Sequence, residues 1–327
     1  MNATHAPTFL DASQVQYLSS HAPFYYSPDP HLVSWMPDHY FALAVPVIAY
    51  WALSGVFHLL DISGWRWLDQ YRIHDSAEVK TRNLVTRTRV VWMVLLQHAL
   101  QTALGIWWIE EAPAGANVDH VGHMLAMAPA MASTIERVFG AEYGAQLLAT
   151  KGGDALYTLY WWAIPAAKFF FGMFIIDTYQ YFLHRAVHVN SFLYRNFHSH
   201  HHRLYVPYAY GALYNHPLEG FFIDTLGALI AEQICALSTR EAMFLFMVST
   251  LKTVDDHCGY SLPWDPLQLF SPNNADYHDI HHQAIGFKSN FSQPFFVHWD
   301  AILGTRMTRK DIELKRQKQK RGDVKTQ

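Results

Sequence analysis

The 327-residue chain reads as an all-α integral membrane protein whose transmembrane helices carry a histidine-rich helical cap on the cytosolic side. Three observations predict this. Long apolar runs match the length of a bilayer crossing, basic residues crowd into alternate loops, and 21 histidines stand against 24 Lys plus Arg. With 51% hydrophobic and only 16% charged residues, disordered and collagen-like chains are excluded. A formal net charge of −3 offers no global field for a polyanion, so no nucleic-acid partner is expected. Cys235 and Cys258 are too few for a disulfide framework or a four-cysteine zinc site.

The first element follows from Tyr40 to Leu60, YFALAVPVIAYWALSGVFHLL, which holds no formal charge and is long enough to span the hydrocarbon core. Val90 to Trp108 is a second span and ends in the aromatics expected at a membrane interface. Ala155 to Ile176 is a third, kinked at Pro165, with Lys168 snorkelling or turned into protein. Leu218 to Val254 is apolar but interrupted by Asp224, Glu232, Arg240, Glu241 and Lys252, which predicts two short helices in a hairpin. Residues 1–65 contain no Lys or Arg, so a cleavable signal peptide is not expected and the N-terminus is read as lumenal. The loop bearing Arg66, Arg72, Lys80, Arg82, Arg87 and Arg89 is then cytosolic, and the acid-rich insertion that follows is lumenal. The third span returns the chain to the cytosol near Asp177. The chain therefore divides into a lumenal segment (1–38), a transmembrane region (39–176) with a cytosolic loop (61–89) and lumenal insertion (109–154), a histidine-bearing domain (177–308) with a membrane hairpin (218–254), and a basic cytosolic tail (309–327), read as a solvated charged helix.

Beyond Asp177 the histidines fall into groups. His184 and His188 sit one helical turn apart and can address one metal. His198, His201 and His202 repeat the spacing of His278, His281 and His282, and such a turn can supply ligands to two neighbouring ions. His257 is a ninth ligand candidate, with His216 and His200 as further ones. Asp177, Asp224, Asp255 and Asp279 are candidates to orient ligand imidazoles through their outer nitrogens. An all-imidazole set suits Fe, Zn, Cu or Ni rather than Mg or Ca, and the lack of a Glu-x-x-His pair disfavours the carboxylate-rich di-iron bundle. His74 and the other histidines outside these groups are expected to be ordinary packed or surface residues.

The boxes HRAVH, HSHHH and HDIHH resemble those of the membrane-bound fatty acid hydroxylase superfamily, which includes sterol desaturases and sphingolipid hydroxylases. The segments HHRLYVPYAYGALYNHPLEGFFIDTLGA, KTVDDHCGY and NNADYHDIHHQAIGFKSNFSQPFFVHWDAILGT are similar to the sphinganine C4-hydroxylase branch. That resemblance implies two iron ions at the histidines named above, replaceable by zinc in purified protein, and O2 as oxidant. It further implies electrons from NAD(P)H through a reductase and a separate cytochrome b5, since no HPGG haem motif is present. The implied setting is the endoplasmic reticulum membrane, and the implied reaction converts sphinganine or dihydroceramide to phytosphingosine or phytoceramide.

A C–H bond on an alkyl chain offers no acid, base or leaving group, so a bound redox centre must supply the oxidant while the protein excludes water. An apolar tunnel between the third span and the hairpin is expected to hold the chain, with Phe169, Phe170, Phe171, Phe221 and Phe222 as lining. Tyr205, Tyr208, Tyr210 and Asn215 are the candidates for contact with the polar head group. Competing readings are a sterol desaturase or C4-methyl oxidase, a membrane metal transporter, and a haem electron carrier. Of the two Asn-x-Ser/Thr sites, Asn2 is on the expected lumenal side and Asn290 is not.

Overall fold

The computed structural model describes residues 9–108 and 118–324, with side chains through residue 317, so Asn2 and the first residues of the insertion lie outside the described residues. In chain order its main helices are α1 (Ala12–Ser20), α2 (Asp38–Ile62), α3 (Arg87–Trp108), α4 (His120–Phe139), α5 (Ala141–Thr158), α6 (Ile164–Val189), α7 (Leu226–Ile234), α8 (Thr239–Asp256), α9 (Ala275–His282) and α10 (Arg309–Val324). Among the described residues there is no β-strand, only isolated bridges such as Arg72 with Tyr260.

Two compact units emerge. One comprises residues 1–38 and 111–170, the other 39–110 and 171–327. In the first, α1 opens with a reciprocal cap in which Asp11 accepts from the Gln14 N–H (2.8 Å) and Gln14 accepts from the Asp11 N–H (3.2 Å). The insertion, read in the sequence only by its charge, folds into α4 and the start of α5. Gly140, at φ +86°, makes the turn between them. A Cβ on Gly144 would lie 2.9 Å from the Glu136 Cα, so the two helices pack backbone to backbone. Met124, Ala128, Leu148, Leu156 and Trp161 form the core of this unit.

From α5 the chain runs through a π-helical turn, Leu159–Ala163, directly into α6. The irregularity falls where Pro165 lacks the N–H that would reach the Trp161 carbonyl, and the Tyr25 hydroxyl donates to that carbonyl instead. The expected kink is thus a π-turn in one long helical run.

Three helical segments are long and apolar enough to cross a bilayer: Asp38–Ile62, Arg87–Trp108 and Ala141–Val189. Only 17%, 22% and 17% of their most apolar windows are buried, which leaves an outward surface that lipid would cover. The hairpin has two arms, a helical run over 217–234 that includes α7, and α8, which begins with a Ser238–Glu241 reciprocal cap. Neither arm joins the crossing set, since α7 has nine residues and α8 carries Arg240, Glu241, Lys252, Asp255 and Asp256.

The core of the second unit joins α2 and α3 to the histidine-bearing segment through Tyr50, Phe57, Val90, Val94, Leu204, Tyr214, Val254 and Tyr260. Asp61 ties its polar edge, accepting from Arg72 (2.9 Å), Arg87 (2.9 Å) and the Tyr260 hydroxyl (3.0 Å). The basic tail is not wholly solvated. Ile312 of α10 is buried with Ile280 and Met307, and Arg309 pairs with Asp276 (2.9 Å) and Asp279.

Candidate metal centre

Each box is presented by a helical turn, and turn geometry sorts the rings. His184 and His188 lie at i and i+4 on the last turns of α6. His198 ends a π-turn (Tyr194–His198), His201 and His202 follow in a 3-10 turn (His201–Arg203), and His257 caps the C-terminus of α8. His278, His281 and His282 sit on α9. The structure brings all nine rings together in two buried groups. His184, His188, His198, His202 and His281 form one, and His201, His257, His278 and His282 the other, each with its nitrogens within 4.8 Å of one another.

The partition refines the spacing argument. Members at i and i+4 share a group (184 with 188, 198 with 202, 278 with 282), whereas the intervening i+3 histidine crosses to the opposite group. Thus the second box lends His201 to the four-ring group and the third box lends His281 to the five-ring group. The two groups are interlocked by both boxes.

Ring orientation follows from the outer nitrogens. A carbonyl can only accept, so an Nδ1 facing one must carry the proton and leave a lone pair on Nε2. His184 donates to Phe291 O, His257 to Thr253 O, His281 to Ser289 O and His282 to Leu204 O, each at 2.8 Å, and His201 to Tyr214 O at 3.4 Å. His198 Nδ1 instead meets the Glu219 carboxylate. The inward Nε2 atoms then face one another: 3.1 Å for His184–His198, His188–His202 and His198–His202, and 3.0–3.3 Å for His201–His257, His257–His278 and His278–His282. His281 Nε2 is buried with no hydrogen-bond partner.

Opposed lone pairs at such distances repel unless a cation lies between them. Metal–nitrogen bonds of about 2.0–2.1 Å put neighbouring ligand atoms ~2.9 Å apart at right angles and ~3.4 Å apart in a tetrahedron. The observed spacings fit that range, so the donor set suits a pair of transition ions. Burial supports the neutral ligand state, since it holds His281 down to about 3, and burial with the neighbouring His198 holds His201 down to about 4. Burial and adjacent imidazoles push His202, His257, His278 and His282 well below the ordinary value in the same way.

Several expected neighbours lie elsewhere. His216 caps the turn Pro217–Gly220 by accepting the Leu218 N–H (3.2 Å), and His200 packs on His216, so neither belongs to a group. None of the four aspartates orients a ligand ring. Asp177 accepts from the Phe295 and Phe296 N–H groups, because it sits two helical turns before His184 and reaches a different loop. Asp224 accepts from Asn215 (3.2 Å) and Asp255 from Gln268 (2.9 Å). Asp279 lies on the far face of α9 and binds His74 (2.8 Å) and Arg309. The ligands are oriented mainly by backbone carbonyls, which no side-chain pattern could reveal. Glu219 is the carboxylate that the sequence reading missed, although it stands in the NHPLE segment three residues after His216.

A small cavity of about 20 Å3, room for roughly one water, touches His198 of one group and His201 and His257 of the other. Asn215, Glu219 and Asp224 supply polar wall. Of the four head-group candidates only Asn215 lines it. Tyr208 and Tyr210 are packed into the core, with Arg87 over the Tyr208 ring, and the Tyr205 ring stands at the surface. Phe170, Phe171 and Phe222 are exposed rather than lining a tunnel.

The fatty acid hydroxylase family model matches residues 169–305, which contain every ring of both groups. The chain is 45% identical to the sphingolipid C4-hydroxylase SUR2 of Saccharomyces cerevisiae over 90% of this chain and 78% of that protein. It is 42% identical to sphinganine C4-monooxygenase 2 of Arabidopsis thaliana over 82% of this chain and 88% of the relative. A very-long-chain aldehyde decarbonylase, GL1-9 of Oryza sativa, is 38% identical over 84% of this chain and 93% of its own. No solved structure matches. Carrying the family's matched segment on membrane-capable helices and similar along most of its length to enzymes of the sphingolipid C4-hydroxylase branch, the chain belongs to the fatty acid hydroxylase family.

Proposed function

We propose that this chain is a di-iron hydroxylase of the endoplasmic reticulum membrane that uses O2 to hydroxylate C4 of a sphingoid base or its ceramide. The observation that carries the reading is the inward convergence of Nε2 atoms in two buried all-histidine groups. In this reading His184, His188, His198, His202 and His281 hold one ion, and His201, His257, His278 and His282 the other. The substrate class comes from the names of the yeast and Arabidopsis relatives.

Each hydroxyl formed consumes one O2, two electrons and two protons and releases one water. When bound, a redox-active metal pair supplies the oxygen activation that an unactivated C–H bond requires. The chain's own residues do the rest. Burial keeps the imidazoles neutral and therefore able to ligate, and the carbonyls of Phe291, Thr253, Ser289 and Leu204 fix the directions of His184, His257, His281 and His282. Packing around the groups excludes bulk water from the oxidant. Asn215, beside the cavity, is the head-group contact retained in this reading. In this reading the histidine domain (177–308) and tail are cytosolic, where a separate cytochrome b5 and its reductase have access to the centre, and the N-terminus is lumenal, an orientation that the loop charges support.

Expression in a host lacking C4-hydroxylase, followed by mass spectrometry of sphingoid bases, tests this. Phytosphingosine should appear with the unaltered chain and not with His281→Ala. An altered sterol profile without phytosphingosine would favour the sterol-modifying reading. Alkane formed from a long-chain aldehyde would favour the activity named for the rice relative.

A further inference from the structure

Nine imidazoles contribute no negative charge, yet two divalent cations in a dry interior need some. Of the Nδ1 partners that orient the rings, five are neutral carbonyls and one, at His198, is the carboxylate of Glu219. Both side chains of that pair are 3% exposed. The second oxygen, Oε2, is buried without a hydrogen-bond partner, and Glu219 lines the cavity shared by the two groups. A desolvated carboxylate facing only a neutral imidazole is poorly compensated. Facing an imidazole whose Nε2 is bound to a cation, it is well placed.

The fold presents this residue deliberately. His216 caps the turn, Pro217 occupies its first position, where a missing N–H costs nothing, and Glu219 follows within it. Gly220 lies directly against Gln97 of α3, where a Cβ would come 1.8 Å from Nε2, so the turn is wedged in place. Asp224, the other cavity carboxylate, touches Asn215 and no ligand ring.

We infer that Glu219 is a positioning residue that sets the two metal positions apart, strengthening the five-histidine position through its bond to His198, while the rings of the four-histidine position that have an outer partner, His201, His257 and His282, meet neutral carbonyls. The inference rests on the metal-centre reading above. Its consequence is a difference in affinity and ligand field beyond the one that five against four histidine ligands already makes.

Cobalt(II) serves as probe, added to full-length, detergent-solubilised protein stripped of metal, with bound metal counted and visible ligand-field bands recorded during titration against a chelator. His281→Ala and His278→Ala assign the bands to the five- and four-histidine positions. Glu219→Gln keeps the shape and the acceptor oxygen but removes the charge. It should lower cobalt affinity at the five-histidine position by about 10- to 100-fold and shift that position's band, with a much smaller change at the other, which Glu219 reaches only across the cavity through His201. Two cobalt ions bound with unchanged affinities in Glu219→Gln overturn the inference and leave the metal centre standing. Equal weakening of both positions also overturns it, because it marks a general packing defect. An unaltered chain that takes up no cobalt overturns the metal-centre reading itself.

Discussion

At the scale of single residues, metal binding turns on which nitrogen of each imidazole holds the proton. Eight histidines were recognisable from box spacing and His257 was a ninth candidate lying between the boxes, but the allocation of the rings to two groups was not legible. A helical repeat specifies that His198 and His202 share a face, and it cannot say that His201 closes on His257 across 56 positions of sequence. Two single substitutions therefore separate the groups. His281→Ala should reduce bound metal chiefly at the five-ring position and His201→Ala at the four-ring position, each abolishing product, as read by metal analysis alongside lipid mass spectrometry. Full metal and full activity in both variants would remove these residues from the centre. Proton linkage supplies a second prediction. In the folded, metal-free chain His201 protonates near 4 and His281 near 3, against an ordinary value of 6.5. The unfolded chain thus binds more protons between those limits, and the stability due to neutral burial is present above about pH 6.5 and lost as pH falls toward 4 and then 3. The melting temperature of chelator-treated protein should fall across that window; a flat or rising profile would contradict it.

At the scale of elements, loops rather than helices aim the ligands. The segment after α9 shows this most clearly: Asp300, fully buried, accepts from the Phe291 N–H (3.1 Å), the Ser292 N–H (2.7 Å), the Tyr277 hydroxyl (2.7 Å) and Thr305 Oγ1 (2.6 Å). The Phe291 carbonyl in turn holds His184. Asp300→Ala would strand several buried donors and should cost about 3 kcal/mol or more, with loss of metal from the five-ring group, measurable as a lowered melting temperature and lowered metal content. Undiminished stability would show that this loop is held by something else. Asn290, beside it, is at φ +56° and spends its side chain on the Tyr277 carbonyl and the Met307 backbone, so its Asn-x-Ser signal is structural. The apolar runs, the disturbance near Pro165 and the broken hairpin were legible, because charge and proline act locally. The helices of the insertion and the docking of α10 through Ile312 were not, because both depend on partners distant in sequence.

At the scale of the whole molecule, charge asymmetry and ligand clustering have to agree on one side of the membrane. Protease treatment of sealed microsomes should remove a tag from the C-terminus and spare one at the N-terminus; the reverse pattern would invert the loop-charge argument. The family was legible because its three histidine boxes are contiguous words in the sequence, whereas the carbonyl partners of the rings, being backbone, leave no mark on residue identity. The central claim is that two buried sets of imidazoles each hold a redox-active ion. Iron-57 reconstitution of the full-length protein, with metal counting and Mössbauer spectroscopy on one sample, addresses it most directly. Two irons per chain in nitrogen-rich, inequivalent environments are expected, falling toward one in His281→Ala or His278→Ala. No bound iron, or iron unaffected by either substitution, would contradict the account.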